Sequence, residues 1–93
     1  MSGRAVITSL RALAARTGDQ HGAQRVAWGP VWREARRWQD EVLAADGLRA
    51  ETDAAGNRWI TVPGVRPETV VIGGHLDSVP NGGWLDGALG VLA

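Results

Sequence analysis

The passage from Gly73 to Ala93, GGHLDSVPNGGWLDGALGVLA, constrains this chain more than any other stretch of it. It follows the β-branched run Thr69–Ile72, which Pro67 bounds on one side and Gly73 on the other. Such a run predicts a strand buried on both faces. The passage ends in a second apolar run, Ala88, Leu89, Val91 and Leu92, which predicts the first turns of a buried helix. His75, Asp77 and Asp86 therefore fall in a glycine-rich loop just past the carboxyl end of a strand, where ligands of open α/β sheets gather.

In an extended segment residues two apart point the same way. Asp77 is thus placed to accept the second ring N–H of His75, fixing the tautomer that leaves the other nitrogen free for a metal. Gly82 and Gly83 let the backbone turn sharply, and Asp86 stands at the start of the final helix with two oxygens able to bridge two cations. Taken singly, each residue has a plain structural reading: a hydrogen-bonded core histidine, a turn-forming aspartate and an N-cap aspartate. Spacing alone leaves both sets of readings open.

The rest of the chain supplies the frame. From Arg4 to Arg16, Val6, Ile7, Leu10, Leu13 and Ala14 recur at helical spacing and predict an amphipathic helix. Thr17 to Gly29 reads as a polar, glycine-containing loop in which His21 is a solvated side chain. A second helix begins near Pro30 and closes at Gly47, with Val31, Ala35, Trp38 and Val42 on one stripe. Trp28, Trp32 and Trp38 are expected along its core-facing edge rather than as a stacking platform. Leu48–Thr52 and Trp59–Val62 flank Asp53-Ala54-Ala55-Gly56-Asn57 and predict a β-hairpin. Two helices, a hairpin, a buried strand and the start of a third helix make an α/β fold class with one domain over residues 1–93.

Composition removes several functions. Ten basic residues balance ten acidic ones, so the chain lacks the wide positive field that nucleic acid or a membrane surface requires. Arg25, Arg33, Arg36 and Arg37 cluster, but Glu34, Asp40 and Glu41 interleave with them, which predicts a solvated helix face. Cysteine is absent, excluding disulfides and thiolate ligands. No run reaches the roughly 20 apolar residues of a membrane span. The N-terminus lacks the uninterrupted apolar core of a signal peptide, so the expected location is cytoplasmic. At 93 residues the core is small for a complete enzyme.

The passage closely resembles the metal-binding segment of the metallopeptidase-like (zinc exopeptidase type) amidohydrolases, in the N-carbamoyl-L-amino acid hydrolase and allantoate amidohydrolase group. Members carry Gly-Ser-His-Leu-Asp-Ser/Thr-Val-Pro-Asn-Gly-Gly-x-x-Asp-Gly-x-x-Gly-Val-Leu-Ala, which this chain matches along nearly all of Gly73 to Ala93, with Gly74 in place of the usual serine. Arg25-Val26-Ala27-Trp28-Gly29-Pro30 and Asp53-Ala54-Ala55-Gly56-Asn57 are also similar to that group.

The resemblance implies His75 as a ligand of one metal, Asp86 as the aspartate bridging both, and Asp77 as the catalytic-site acid that supports His75. It implies two divalent ions, zinc or manganese with cobalt or nickel as further options. It also implies a small ureido substrate such as an N-carbamoyl amino acid or allantoate, and a homodimer. The group's general-base glutamate, a glutamate ligand, two histidine ligands and the dimerisation domain follow this segment. Residues 1–93 are therefore expected to be the N-terminal part of a catalytic domain, inactive alone and weak in metal binding. A related aminopeptidase or dipeptidase, an inactive remnant or small protein-binding module, and a purely structural α/β domain are the alternatives.

Overall fold

The computed structural model describes residues 2–93. Helix α1 spans Gly3–Thr17, where Ser2 accepts the Ala5 N–H on its hydroxyl at 3.1 Å and so caps the first turn. Val6, Leu10, Leu13 and Thr17 are its buried residues, and the Thr17 hydroxyl donates to the Leu13 carbonyl at 2.7 Å. Ile7, expected on the same face, is exposed.

The predicted loop after α1 holds structure of its own. Strands β1 (Gly18–Asp19) and β2 (Gly22–Ala23) pair antiparallel with Gly18 opposite Ala23, and Ala23 forms a further bridge to Gly82. That bridge joins positions far apart in sequence, so no local signal announces it.

Helix α2 runs Pro30–Ala45 with Pro30 in its first turn, where the missing N–H costs nothing. It ends in a Schellman motif: Gly47 N–H bonds Ala44 O at 3.0 Å and Leu48 N–H bonds Leu43 O at 2.9 Å, with Gly47 at φ 70°. Ala35 and Trp38 are buried, and Val42 packs beside them. Of the three tryptophans expected at the core edge, Trp38 alone is buried. Trp28 precedes the helix at φ 68° and is 62% exposed, its ring centroid 4.9 Å from that of Trp32. Across the helix pair, Arg16 of α1 donates to both Glu34 and Glu41 of α2.

Strands β3 (Glu51–Thr52) and β4 (Arg58–Trp59) form the expected hairpin with shorter arms, Glu51 pairing Trp59 and Thr52 pairing Arg58. Helix α3 is Ala88–Leu92. The core is Val6, Leu10, Leu13, Ala35, Trp38 and Ala88, with Val42, Leu76 and Leu92 against it, so α1 packs on both α2 and α3.

The buried strand expected at Thr69–Ile72 is not formed. Val70, Val71 and Ile72 are 87%, 69% and 90% exposed, and the strands among the described residues are the two short hairpins. A strand exists only when neighbours take up its N–H and C=O groups, and none of the described residues does so here. The architecture is a small α/β arrangement of three helices and two hairpins. No described helix is long and apolar enough to cross a membrane.

Candidate metal centre

Leu76 packs against the core while His75 stays exposed, so the chain runs extended with His75 and Asp77 directed away from Leu76. His75 Nδ1 lies 3.1 Å from the Asp77 carbonyl oxygen and 3.2 Å from Asp77 Oδ1. That pattern assigns the ring proton to Nδ1, donating to Asp77, and leaves the Nε2 lone pair free.

Asp86 Oδ2 stands 3.9 Å from Nε2. A tetrahedral cation with ligand distances of about 2.0 to 2.2 Å needs donors roughly 3.3 to 3.6 Å apart, so His75 Nε2 and Asp86 Oδ2 would share one ion after a small approach of these two side chains. Both side chains are open to water, at 54% and 70% exposure. His75 is therefore not a core histidine. Asp86 does not cap α3, whose N-cap is Gly87 with no side-chain cap bond, and Asp77 lies outside the turn that begins at Pro80.

His21 lies at the β1–β2 turn, exposed, its backbone N–H donating to Asp19 Oδ1 at 2.8 Å. Among the described residues no group of three His, Cys, Asp or Glu side chains converges as a metal site. Among the described residues His75 Nε2 and Asp86 stand as a pair.

What holds that pair is the segment 22–25, part of the stretch expected to be loop. Ala23 exchanges backbone bonds with Gly82 at 2.8 and 3.0 Å. Gln24 Oε1 accepts the Asn81 N–H at 3.1 Å, and its Nε2 donates to Asn81 Oδ1 at 2.8 Å. The Arg25 N–H donates to Ser78 Oγ at 3.0 Å, and Ser78 N–H returns a bond to Arg25 O at 2.8 Å.

Arg25 itself is fully buried, which corrects its placement on a solvated helix face. Its Nε donates to Leu76 O at 2.7 Å and its Nη2 to Asp86 O at 3.2 Å, while Nη1 is buried without a partner among the described residues. An unmet buried donor costs about 1–3 kcal/mol. Burial holds the Arg25 pKa below the usual arginine value, and the Asp77 and Asp86 carboxylates oppose that shift. One sequence signal was available: from His21 to Gly29 Arg25 has no acidic neighbour, unlike the arginines of α2.

Over 74 residues the chain is 39% identical to the allantoate amidohydrolase of Escherichia coli (strain K12), covering 77% of this chain and 18% of that protein. Over the same length it is 40% identical to the N-carbamoyl-L-amino acid amidohydrolase of Geobacillus stearothermophilus, with the same coverage. An N-carbamoyl-L-amino-acid amidohydrolase of Paenarthrobacter aurescens is 33% identical over 85 residues, 89% of this chain and 21% of its own. No family model and no solved structure matches. The chain spans 18% of the length of the first two of these relatives, and along most of its own length it is similar to enzymes named as amidohydrolases of allantoate and N-carbamoyl-L-amino acids.

Proposed function

We propose that this chain carries part of the metal site of an amidohydrolase that cleaves linear C–N bonds of ureido compounds, N-carbamoyl amino acids or allantoate among them, within a zinc-exopeptidase-type catalytic domain. In this reading His75 Nε2 and Asp86 are two cation ligands, and Asp77 orients the His75 ring. The observation that carries it is the 3.9 Å approach of Nε2 to Asp86 Oδ2 while Asp77 occupies Nδ1. The names of the similar proteins support the substrate class.

A divalent cation such as zinc or manganese, when bound, lowers the pKa of a water toward about 7, so that hydroxide is available at neutral pH. The residues of this chain supply the rest. Asp77 holds the proton on Nδ1, so that Nε2 presents a lone pair rather than an N–H. Asp86 brings a carboxylate with a second oxygen free to reach a second cation. Water has access from the open side. A catalytic zinc site takes about three protein ligands, so two hold a cation weakly.

Zinc titrated into the 93-residue chain, followed by the ring signals of His75 in proton–nitrogen NMR, tests the reading. Nε2 is expected to shift in fast exchange. With zinc binding to the variants read by calorimetry, His75→Ala should abolish the saturable component, and Asp86→Ala should weaken it about tenfold or more. Zinc that leaves His75 unmoved, or binds His75→Ala as it does the parent, overturns the assignment.

A further inference from the structure

Arg25 spends a charge in the interior of a small fold without pairing it to a carboxylate. Its guanidinium reaches instead two main-chain carbonyls, those of Leu76 and Asp86, at 2.7 and 3.2 Å. Leu76 sits between His75 and Asp77, and Asp86 is the other end of the pair. The planar fork of an arginine fixes the directions of its donors, so the spacing of two carbonyls that share one guanidinium is set by that fork. The remaining donor, Nη1, is left unmet in the interior. An apolar side chain would fill such a place without that penalty, so stability alone does not account for arginine there.

We propose that Arg25 is a positioning residue for the cation site: through the Leu76 and Asp86 carbonyls it sets the separation and facing of His75 Nε2 and the Asp86 carboxylate. The inference rests on the reading of those two side chains as cation ligands. Its electrostatic effect runs the other way, because a fixed positive charge beside the site repels an incoming cation. Removing Arg25 therefore separates the two effects: lost positioning weakens binding, and lost repulsion tightens it.

The test compares the 93-residue chain with Arg25→Met and Arg25→Lys. In the metal-free state, hydrogen exchange at the Ser78, Gly82 and Asp86 amides and the His75 ring signals are measured, with the Trp38 indole signal reporting the core. Zinc affinity is then read from the His75 ring. Arg25→Met is expected to speed exchange at those amides, shift the His75 ring and lower zinc affinity about ten- to a hundredfold, the usual effect of losing a residue that supports a ligand. The Trp38 signal is expected to stay in place. Arg25→Lys keeps the charge without the fork and should recover little of the loss.

Unchanged exchange and affinity in Arg25→Met, tighter binding in it, or full recovery in Arg25→Lys each overturn the proposal. Should Arg25→Met not fold, Arg25→Lys decides by the same measurements. If Arg25→Met loosens the loop and shifts the His75 ring while the parent itself takes no zinc at His75, the positioning role stands and the cation reading falls.

Discussion

Gly87 shows how closely the site is drawn together. A Cβ at that position would lie 2.4 Å from the His75 carbonyl oxygen, 2.6 Å from its Cε1 and 2.7 Å from its Nδ1, and the backbone there has φ 69°. Both conditions exclude a side chain. Gly87→Ala should cost about 1–3 kcal/mol from backbone strain alone. It should also turn the His75 ring off Asp77, seen as a lower melting temperature together with a moved ring signal. Gly90, inside α3 with open space around its Cα, is the contrast: Gly90→Ala should stabilise by about 0.5–1 kcal/mol. Equal melting temperatures for the two variants would show that the approach of Gly87 to His75 carries no strain. The pairing of His75 with Asp77 was legible because it is a two-residue relation in extended chain. Arg25 was not, because its partners lie 51 and 61 residues away, and its uncharged sequence neighbours say only that it is set apart from the arginines of α2.

At the scale of elements, what could be read from the sequence divides along the same line. α1 and α2 follow from the period of their apolar residues and from caps at Ser2, Pro30 and Gly47, all local relations. The hairpin β3–β4 is local too, since Asp53 Oδ1 accepts the Ala55 and Asn57 N–H groups at 3.0 and 2.9 Å within the turn. A strand at Thr69–Ile72 depends on a distant partner, and no described residue pairs Val70 or Ile72; the bridge of Ala23 to Gly82 is the converse case, a long-range pairing that local sequence does not announce. Asp53 also makes the β3–β4 hairpin a pH reporter. The Trp59 indole N–H, donating to Asp53 Oδ2 at 2.9 Å, holds this carboxyl below the usual aspartate range, with the Asn57 and Ala55 N–H groups adding to it. A carboxylate depressed in the folded state contributes stability that is complete above its unfolded pKa of about 3.9 and is lost as pH falls through the lower folded value. The Trp59 indole signal should therefore hold its position down to about pH 4 and move only below it. Asp53→Asn, which has no proton to gain, should leave that signal flat with pH. Titration of the signal at or above the ordinary aspartate value would contradict the hydrogen-bond account.

At the scale of the whole molecule, helices and Leu76 make the core, and every residue from Thr61 to His75 is exposed. That span includes Val62, Val65, Val70, Val71 and Ile72, and the last three are consecutive and β-branched. Side chains of adjacent residues in extended chain point to opposite faces, so the run presents apolar surface on both sides and unpaired N–H and C=O groups along both edges. Burying a Val or Ile side chain is worth about 1.5–3 kcal/mol, close to the cost of ordering the residue, so covering this short run gives a weak, concentration-dependent association. Two copies of the run meet both needs at once by pairing strand to strand. The 93-residue chain is thus expected to self-associate as its concentration rises, with sedimentation velocity as the measure. Val71→Lys places a charge in the run that must face its own copy, and Val71 has no core contact to lose, so the variant should keep its helical spectrum within about 0.5 kcal/mol of parent stability while sedimenting as a monomer. A parent chain that stays monomeric throughout, or a Val71→Lys chain that associates as the parent does, would show that the contacts between copies lie elsewhere.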